Sequence, residues 1–403
     1  MTARTVVEAA AEVVASGRCT GCGLCSTLEP ALTMATSPSG YLRPRASGPG
    51  AADATALRTF RAACPGVTVT AQRPTGSTYH PLLGPVLGCW EAWATDPEVR
   101  HRGSSGGALT ALSSWLLATG EATAAVGAAA DARDPRRTVP VRIVSRDEAL
   151  AAAGSRYGPV GVAGRPEAGT PGTVTTGKPC EVAALRAASG ADDPLLLSFF
   201  CAGTPSQHAT DRLVADLGMP ATEEVAELWY RGRGWPGRFT ARGASGTEVS
   251  TTYDESWGRS LGPTVQWRCK ICPDGVGESA DVAAGDFWRT DERGYPLFEE
   301  TAGASALLAR TPRGLDLVRR AAAAGVIGLR EISPDEVAAV QPLQRTRRGT
   351  LAGRLAGARL AGARLPRFRG FGLARLAMTR ARTSWRTARG TFRRVRDGAT
   401  ARS

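Results

Sequence analysis

The chain has 403 residues, 42% hydrophobic and 22% charged, a balance that fits a globular fold and excludes a disordered one. Its length allows two or three domains with substantial cores, and no run of 18 apolar residues is present to span a membrane. The formal charge of +13 is uneven: residues 345–403 hold 17 arginines and a single acid, Asp397, while the other 344 residues sum to −3.

In chain order, residues 5–16 read as a short helix. Two glutamates interrupt its apolar stretch, so it does not read as an export signal, and a cytoplasmic protein is expected. Next comes Cys19-Thr-Gly-Cys22-Gly-Leu-Cys25, with Cys64-Pro65 further on. Cysteines at i, i+3 and i+6 on a glycine-containing turn can direct three sulfurs at one iron–sulfur cluster, and Cys64 supplies the fourth. Residues 1–70 form a cluster module on this reading. Segment 40–58 is expected to be a loop, and the Pro- and Gly-rich segment 71–88 a linker.

A mixed α/β region follows. Ser104-Ser105-Gly106-Gly107 leads into a helix over residues 108–119, with Leu109, Leu112 and Leu116 on one face and a serine cap at its start. Glycines that admit close approach, placed before a helix N-terminus, make this turn a candidate anion cradle, though such a turn is also an ordinary cap. His101 abuts it. Val139–Val144 and Glu227–Arg231 read as strands, and residues 305–325 as a strand and then a helix. Leu195–Phe200 reads as a buried strand that delivers Cys201 at its end. In the tail, Arg-Leu-Ala-Gly-Ala recurs around Arg354, Arg359 and Arg364. Met378, Trp385 and Phe392 recur every seven residues, as a basic amphipathic helix broken at Gly390 would have them.

Eight of the nine cysteines therefore fall into two sets of four: Cys19, Cys22, Cys25 and Cys64, then Cys180, Cys201, Cys269 and Cys272. Only Cys89 is left over. A CxxCxxC run in a chain without an export signal argues for metal or cluster rather than disulfides. Zinc also accepts four thiolates, and spacing by itself leaves the second set open. The only two lysines, Lys178 and Lys270, both sit beside cysteines of that set.

Taken together, these stretches resemble the coenzyme F420 hydrogenase/dehydrogenase beta-subunit family, which also includes 7-hydroxymethyl chlorophyll a reductase. The resemblance runs over residues 18–290. It rests on the two cysteine sets, on residues 104–110, 177–181, 200–203 and 230–237, and on Cys269-Lys270-Ile271-Cys272 with Gly285-Asp286-Phe287-Trp288. It implies two [4Fe–4S] clusters and FAD, with Ser104, Ser105, Gly106, Gly107 and Thr110 as flavin contacts. Lys178, His101 and Tyr157 are candidates for placing charge or a proton near the flavin.

The expected fold is mixed α/β. A ferredoxin-like module occupies residues 1–70, a beta-subunit N-terminal region 85–165, a flavin and iron–sulfur domain 166–340, and an arginine-rich helical tail 345–403. The expected function is an oxidoreductase that passes electrons between a one-electron carrier such as ferredoxin and a two-electron partner, coenzyme F420 or an organic substrate, through the two clusters and FAD. An electron-transfer subunit of a larger complex, and a zinc protein whose tail binds polyanions, are the alternatives. For the tail, docking on the body and contact with an anionic membrane surface rank ahead of nucleic acid, since no nucleic-acid-binding fold is recognised.

Overall fold

A computed structural model describes residues 4–190, 194–289, 297 and 302–398. The helix Val6–Ala15 starts at a capping box in which the Thr5 hydroxyl accepts from the Glu8 amide and Glu8 reaches back. It buries Val6, Ala9, Ala10 and Val13 against Leu57 and Phe60. The segment expected as a loop over 40–58 contains two elements instead. Strand Leu42–Ala46 pairs with Leu32–Thr36, and helix Ala54–Ala63 is capped by the Asp53 carboxylate. The Gly/Pro composition there marks only the turns between them. Likewise the expected linker 71–88 holds a small hairpin, Thr78–His80 with Gly84–Val86.

The centre of the molecule is an eight-stranded mixed sheet. Its strands in chain order are β1 (Gly88–Ala94), β2 (Ala124–Ala130), β3 (Thr138–Ile143), β4 (Thr173–Gly177), β5 (Leu195–Phe199), β6 (Val282–Asp286), β7 (Ser305–Ala309) and β8 (Ile327–Glu331). The spatial order is β8-β1-β7-β6-β5-β4-β2-β3. The four inner strands β2, β4, β5 and β6 run parallel, and antiparallel partners flank them on both sides. Parallel strands need cover on both faces, and β5 shows why: Leu196, Leu197 and Ser198 are all fully buried. The expected 85–165 and 166–340 regions contribute strands to this one sheet. Cys89 lies on β1 in a core with Leu83, Val86 and Leu308.

The expected strand over Glu227–Arg231 sits slightly earlier, at Val225–Trp229. It belongs to a separate three-stranded sheet with Arg238–Gly243 and Glu248–Thr252. The helix expected over 108–119 runs Ala108–Ala118, but without the serine cap: Gly107, at φ 72°, takes the cap position and no side chain caps it. Ser105 turns instead to the Ser305 hydroxyl of β7, 2.6 Å away.

The tail does not begin at residue 345. Helix Pro342–Leu360 crosses that point, and Arg347 and Arg348 on its first turns are buried in the body. A short strand, Arg367–Arg369, pairs in parallel with Thr68–Thr70 of the N-terminal module. The last helix, Ala381–Arg396, passes through Gly390 unbroken. It lies against Pro342–Leu360 along a glycine stripe. A methyl at Gly353 would meet the Ser384 carbonyl oxygen at 2.2 Å, and one at Gly357 the Ala388 oxygen at 2.0 Å. The tail thus docks through its small residues, leaving Met378 and Trp385 exposed. Among the described residues no helix is long and apolar enough to cross a membrane.

Candidate functional site

In an open α/β sheet, ligands bind outside the carboxyl ends of parallel strands. Here β4 ends at Gly177 before Lys178, β5 ends at Phe199 before Phe200 and Cys201, and β6 ends at Asp286. All of these residues line one cavity of about 970 Å³, at the upper end of the roughly 300–1,000 Å³ usual for small-molecule sites. Ser104, Ser105, Gly107 and Thr110 line it too, as do Tyr157, Lys178, Cys201 and Cys269.

Two of the expected residues fall outside the lining. His101 is exposed on the helix Pro97–Arg102, and its carbonyl accepts from the Gly234 amide. Gly106 is buried behind the turn. Its amide donates to the Ser305 hydroxyl, and a methyl there would meet the Ala92 carbonyl oxygen at 2.3 Å. Gly106 therefore lets the turn lie flat on the sheet, while the residues around it face the cavity.

Lys178 is buried. Its ammonium donates to the Val160 carbonyl at 2.6 Å and to Glu181 at 2.7 Å, committing two of its three donors. The Glu181 carboxylate also accepts from the Lys178 and Val162 amides. Burial opposes the ammonium, but Glu181, with Cys180 and Cys201, outweighs it and holds Lys178 above the ordinary lysine value. Lys178 is thus a fixed positive charge.

The opposite wall is aromatic. Tyr157 packs at 5.1 Å from Trp257 and 5.7 Å from Tyr230, and Tyr253 stacks on Trp288 at 6.1 Å. Arg231 organises this wall. It pairs with Asp286 at 2.7 Å, donates to the Ser104 and Pro236 carbonyls, and lies over Trp235, Tyr253 and Trp288. Burial weakens a guanidinium, yet Asp286 more than offsets it, so Arg231 stays charged. Reading the sequence for roles passed over Arg231, Asp286, Tyr253 and Trp288. Arg231, Asp286 and Trp288 lie within stretches quoted for the resemblance, which were the available signal.

The cysteines come together in two neighbouring groups. Cys19, Cys22, Cys25 and Cys64 line one small space with Ala10, Val13, Met34 and Phe60. Burial there pushes the Cys22 thiol up to about 11, and Cys25 and Cys64 higher still, with each cysteine's neighbours adding to the effect. In the second set, burial and then Cys269 push Cys201 up to about 12. Cys180 adjoins both Cys201 and Cys22 of the first set. Cys201 and Cys269 line the large cavity, whereas Cys180 and Cys272 are half-buried outside its lining. Gln266 bridges the sets, donating to the Thr20 carbonyl and, at 3.5 Å, to the Cys269 sulfur. Arg268, buried between them, opposes the effect of burial at Cys19, Cys64 and Cys272.

Among the described residues no three Cys, His, Asp or Glu side chains close around a single metal ion. A [4Fe–4S] group is larger than one ion and takes four thiolates. The fit therefore rests on donor type and on the lining shared by the first set. For a flavin it rests on cavity size, the helix N-terminus at Ala108 and the aromatic wall.

Comparison with known proteins bears on this geometry directly. Residues 89–164 match the coenzyme F420 hydrogenase/dehydrogenase beta subunit N-terminal description, and residues 172–335 match its C-terminal description. The chain belongs to this family. The beta-subunit match covers the sheet, most of the cavity lining and the second cysteine set; the first set, the tail and the part of the lining beyond residue 335 lie outside it. A chain of the F420-reducing [NiFe] hydrogenase complex from Methanosarcina barkeri shares the fold. It aligns at a TM-score of 0.50 and 22% identity, over 67% of this chain and 94% of that one.

Proposed function

We propose that this beta-subunit relative is an iron–sulfur flavoprotein oxidoreductase. Cys19, Cys22, Cys25 and Cys64 would hold one [4Fe–4S] cluster, Cys180, Cys201, Cys269 and Cys272 a second, and the large cavity FAD. Electrons would pass between a one-electron carrier such as ferredoxin and a two-electron partner, coenzyme F420 or an organic substrate. The observation that carries this reading is that Cys201 and Cys269 line the same cavity as the 104–110 turn and the aromatic wall. Two cysteine sets in series, the first outside the cavity and the second at its edge, suit a relay that ends there.

A flavin, when bound, supplies the exchange between single-electron and hydride chemistry. The protein's own residues supply the rest. Ser104, Ser105 and Thr110 offer hydroxyls at a helix N-terminus, where a phosphate is favoured. Lys178 adds a positive charge that cannot swing away, because Glu181 and Val160 hold it. Tyr157, Tyr253, Trp257 and Trp288 offer aromatic surface against which a ring system could pack. Gln266 keeps the two cysteine sets in fixed register.

The test is anaerobic mixing of the purified protein with reduced F420 and, separately, with reduced ferredoxin. Bleaching of the flavin absorption by either is expected. A flavin that neither donor reduces would refute the proposal. The family's membership in hydrogenase and dehydrogenase systems, and the assembly named for the structural relative, also favour an electron-transfer subunit of a larger complex. Reduction of a small substrate by the isolated chain would decide against that narrower role. The exposed face around Trp385 is the part of the tail left for an anionic membrane. Liposome flotation of the full chain, with and without Trp385→Ser, tests it.

A further inference from the structure

The tail brings positive charge to the edge of the cavity, where Asp254 is the one lining carboxylate with no ion pair among the described residues. Arg347 and Arg354 lie on helix Pro342–Leu360, Arg394 on helix Ala381–Arg396, and Lys270 directly follows Cys269. Lys270, Arg347 and Arg354 line the cavity. Among the described residues none of the four forms an ion pair. Arg347 donates to the Cys201 carbonyl at 2.9 Å and to the Gln344 side-chain oxygen. Arg354 donates to the Lys270 carbonyl, and Arg394 to the Thr391 hydroxyl.

The electrostatics agree with the geometry. Burial, then Arg347 and Arg394, lower Arg354. Two of the carboxylates that line the cavity are engaged elsewhere, Glu181 with Lys178 and Asp286 with Arg231. Like charges gathered at a partly buried edge repel one another, and an anion seated among them reverses the sign. The glycine stripe at Gly353 and Gly357 holds the two helices close enough for Arg354 and Arg394 to act on each other. Arg347, Arg354 and Arg394 all lie beyond the residues that match the beta-subunit descriptions.

We propose that this edge is a binding site for an oligoanion. Its ligand is the phosphate- or carboxylate-bearing end of a small molecule whose other end reaches into the cavity. The proposal rests on the reading of that cavity as the chamber for cofactor and substrate. Two sources share this chemistry: the diphosphate of the flavin itself, and the anionic end of a second substrate.

The test is calorimetric titration of inorganic pyrophosphate into the full-length protein, isolated with its own flavin and iron, at low ionic strength. Saturable binding at a single site is expected. Arg354→Gln and Lys270→Gln should each weaken it roughly tenfold, the range for loss of a charge-assisted contact. Arg389→Gln, outside the cavity lining, should leave it unchanged. No binding to either the flavin-loaded or the flavin-free protein, or the same affinity in Arg354→Gln and Lys270→Gln as in the parent, would overturn the site. So would equal weakening by Arg389→Gln, which would mean diffuse attraction to an arginine-rich tail.

Repeating the titration on flavin-free protein, with and without added FAD, separates the sources. Displacement of pyrophosphate by FAD assigns the site to the flavin's diphosphate, and simultaneous binding assigns it to a second substrate. Iron and flavin are measured on the same samples. A chain that lacks both yet binds pyrophosphate would sink the redox reading and leave this site standing.

Discussion

At the residue scale, the cavity is set by two ion pairs, Lys178–Glu181 buried and Arg231–Asp286 half-buried at the aspartate, that do different work. Lys178 and Glu181 lock the end of β4 to the helix that carries Cys180, Pro179–Ala188. Arg231 and Asp286 join the 104–107 turn to the end of β6. Breaking a buried pair leaves the partner charge stranded, at a cost of about 3–5 kcal/mol. Glu181→Gln should therefore lower unfolding stability by about 3 kcal/mol in urea titration. The double change Lys178→Met with Glu181→Gln should recover much of that loss, because it strands no charge and keeps a side-chain oxygen for the amides of residues 178 and 162. A single variant as stable as the parent would refute the coupling.

For the flavin, the informative substitution is Thr110→Val rather than any change at Gly106 or Gly107. A methyl at either glycine meets backbone oxygen, so flavin loss there would not be separable from misfolding. Thr110→Val should lower flavin retention with iron content unchanged, read from the visible spectrum and an iron assay. Full retention would remove Thr110 from the contact set.

At the scale of elements, the grouping of the cysteines was more legible in the sequence than the packing. Cysteine spacing is local, so CxxCxxC could be read directly, and the apolar run before Cys201 showed it at a strand end. The tail was less readable. Its register depends on Gly349, Gly353 and Gly357 meeting Arg380, Ser384 and Ala388, a small-residue stripe hidden among repeated Arg-Leu-Ala-Gly-Ala units. Its attachment depends on Arg348 finding Glu278, 70 residues away. Local composition carries no trace of either partner. The serine cap was misplaced for a similar reason, since Ser305 competes for the Ser105 hydroxyl.

The glycine stripe makes a clear prediction. Gly357→Leu must push the last helix off the Ala388 backbone, with a loss of about 1–3 kcal/mol, as for other overpacked sites. Limited proteolysis should then cut between the tail helices. Resistance equal to the parent would mean that the helices are not held by this contact. Truncation ahead of Arg345 would remove the Arg347 contact to the Cys201 carbonyl, and so would disturb the second cysteine set as well as the tail.

At the scale of the whole molecule, three parts converge on one cavity. The parallel strands present their carboxyl ends to it, the N-terminal module abuts the second cysteine set through Gln266, and the tail closes its edge with arginines. The sheet order could not be foreseen, because β1 and β8 reach their places only through long-range pairing. Two independent sets of thiolates predict divisible metal content. Cys25→Ser should lose about four irons and Cys272→Ser the other four or so, each leaving the remaining set loaded. Loss of all iron in either variant would mean a single shared centre.

The most direct measurement is the iron, sulfide, zinc and flavin content of protein purified without oxygen, with its visible spectrum. About eight irons and a similar amount of sulfide per chain, with flavin absorption, are predicted. Zinc in place of iron, with no flavin, would contradict the account and leave a structural zinc protein with a basic tail.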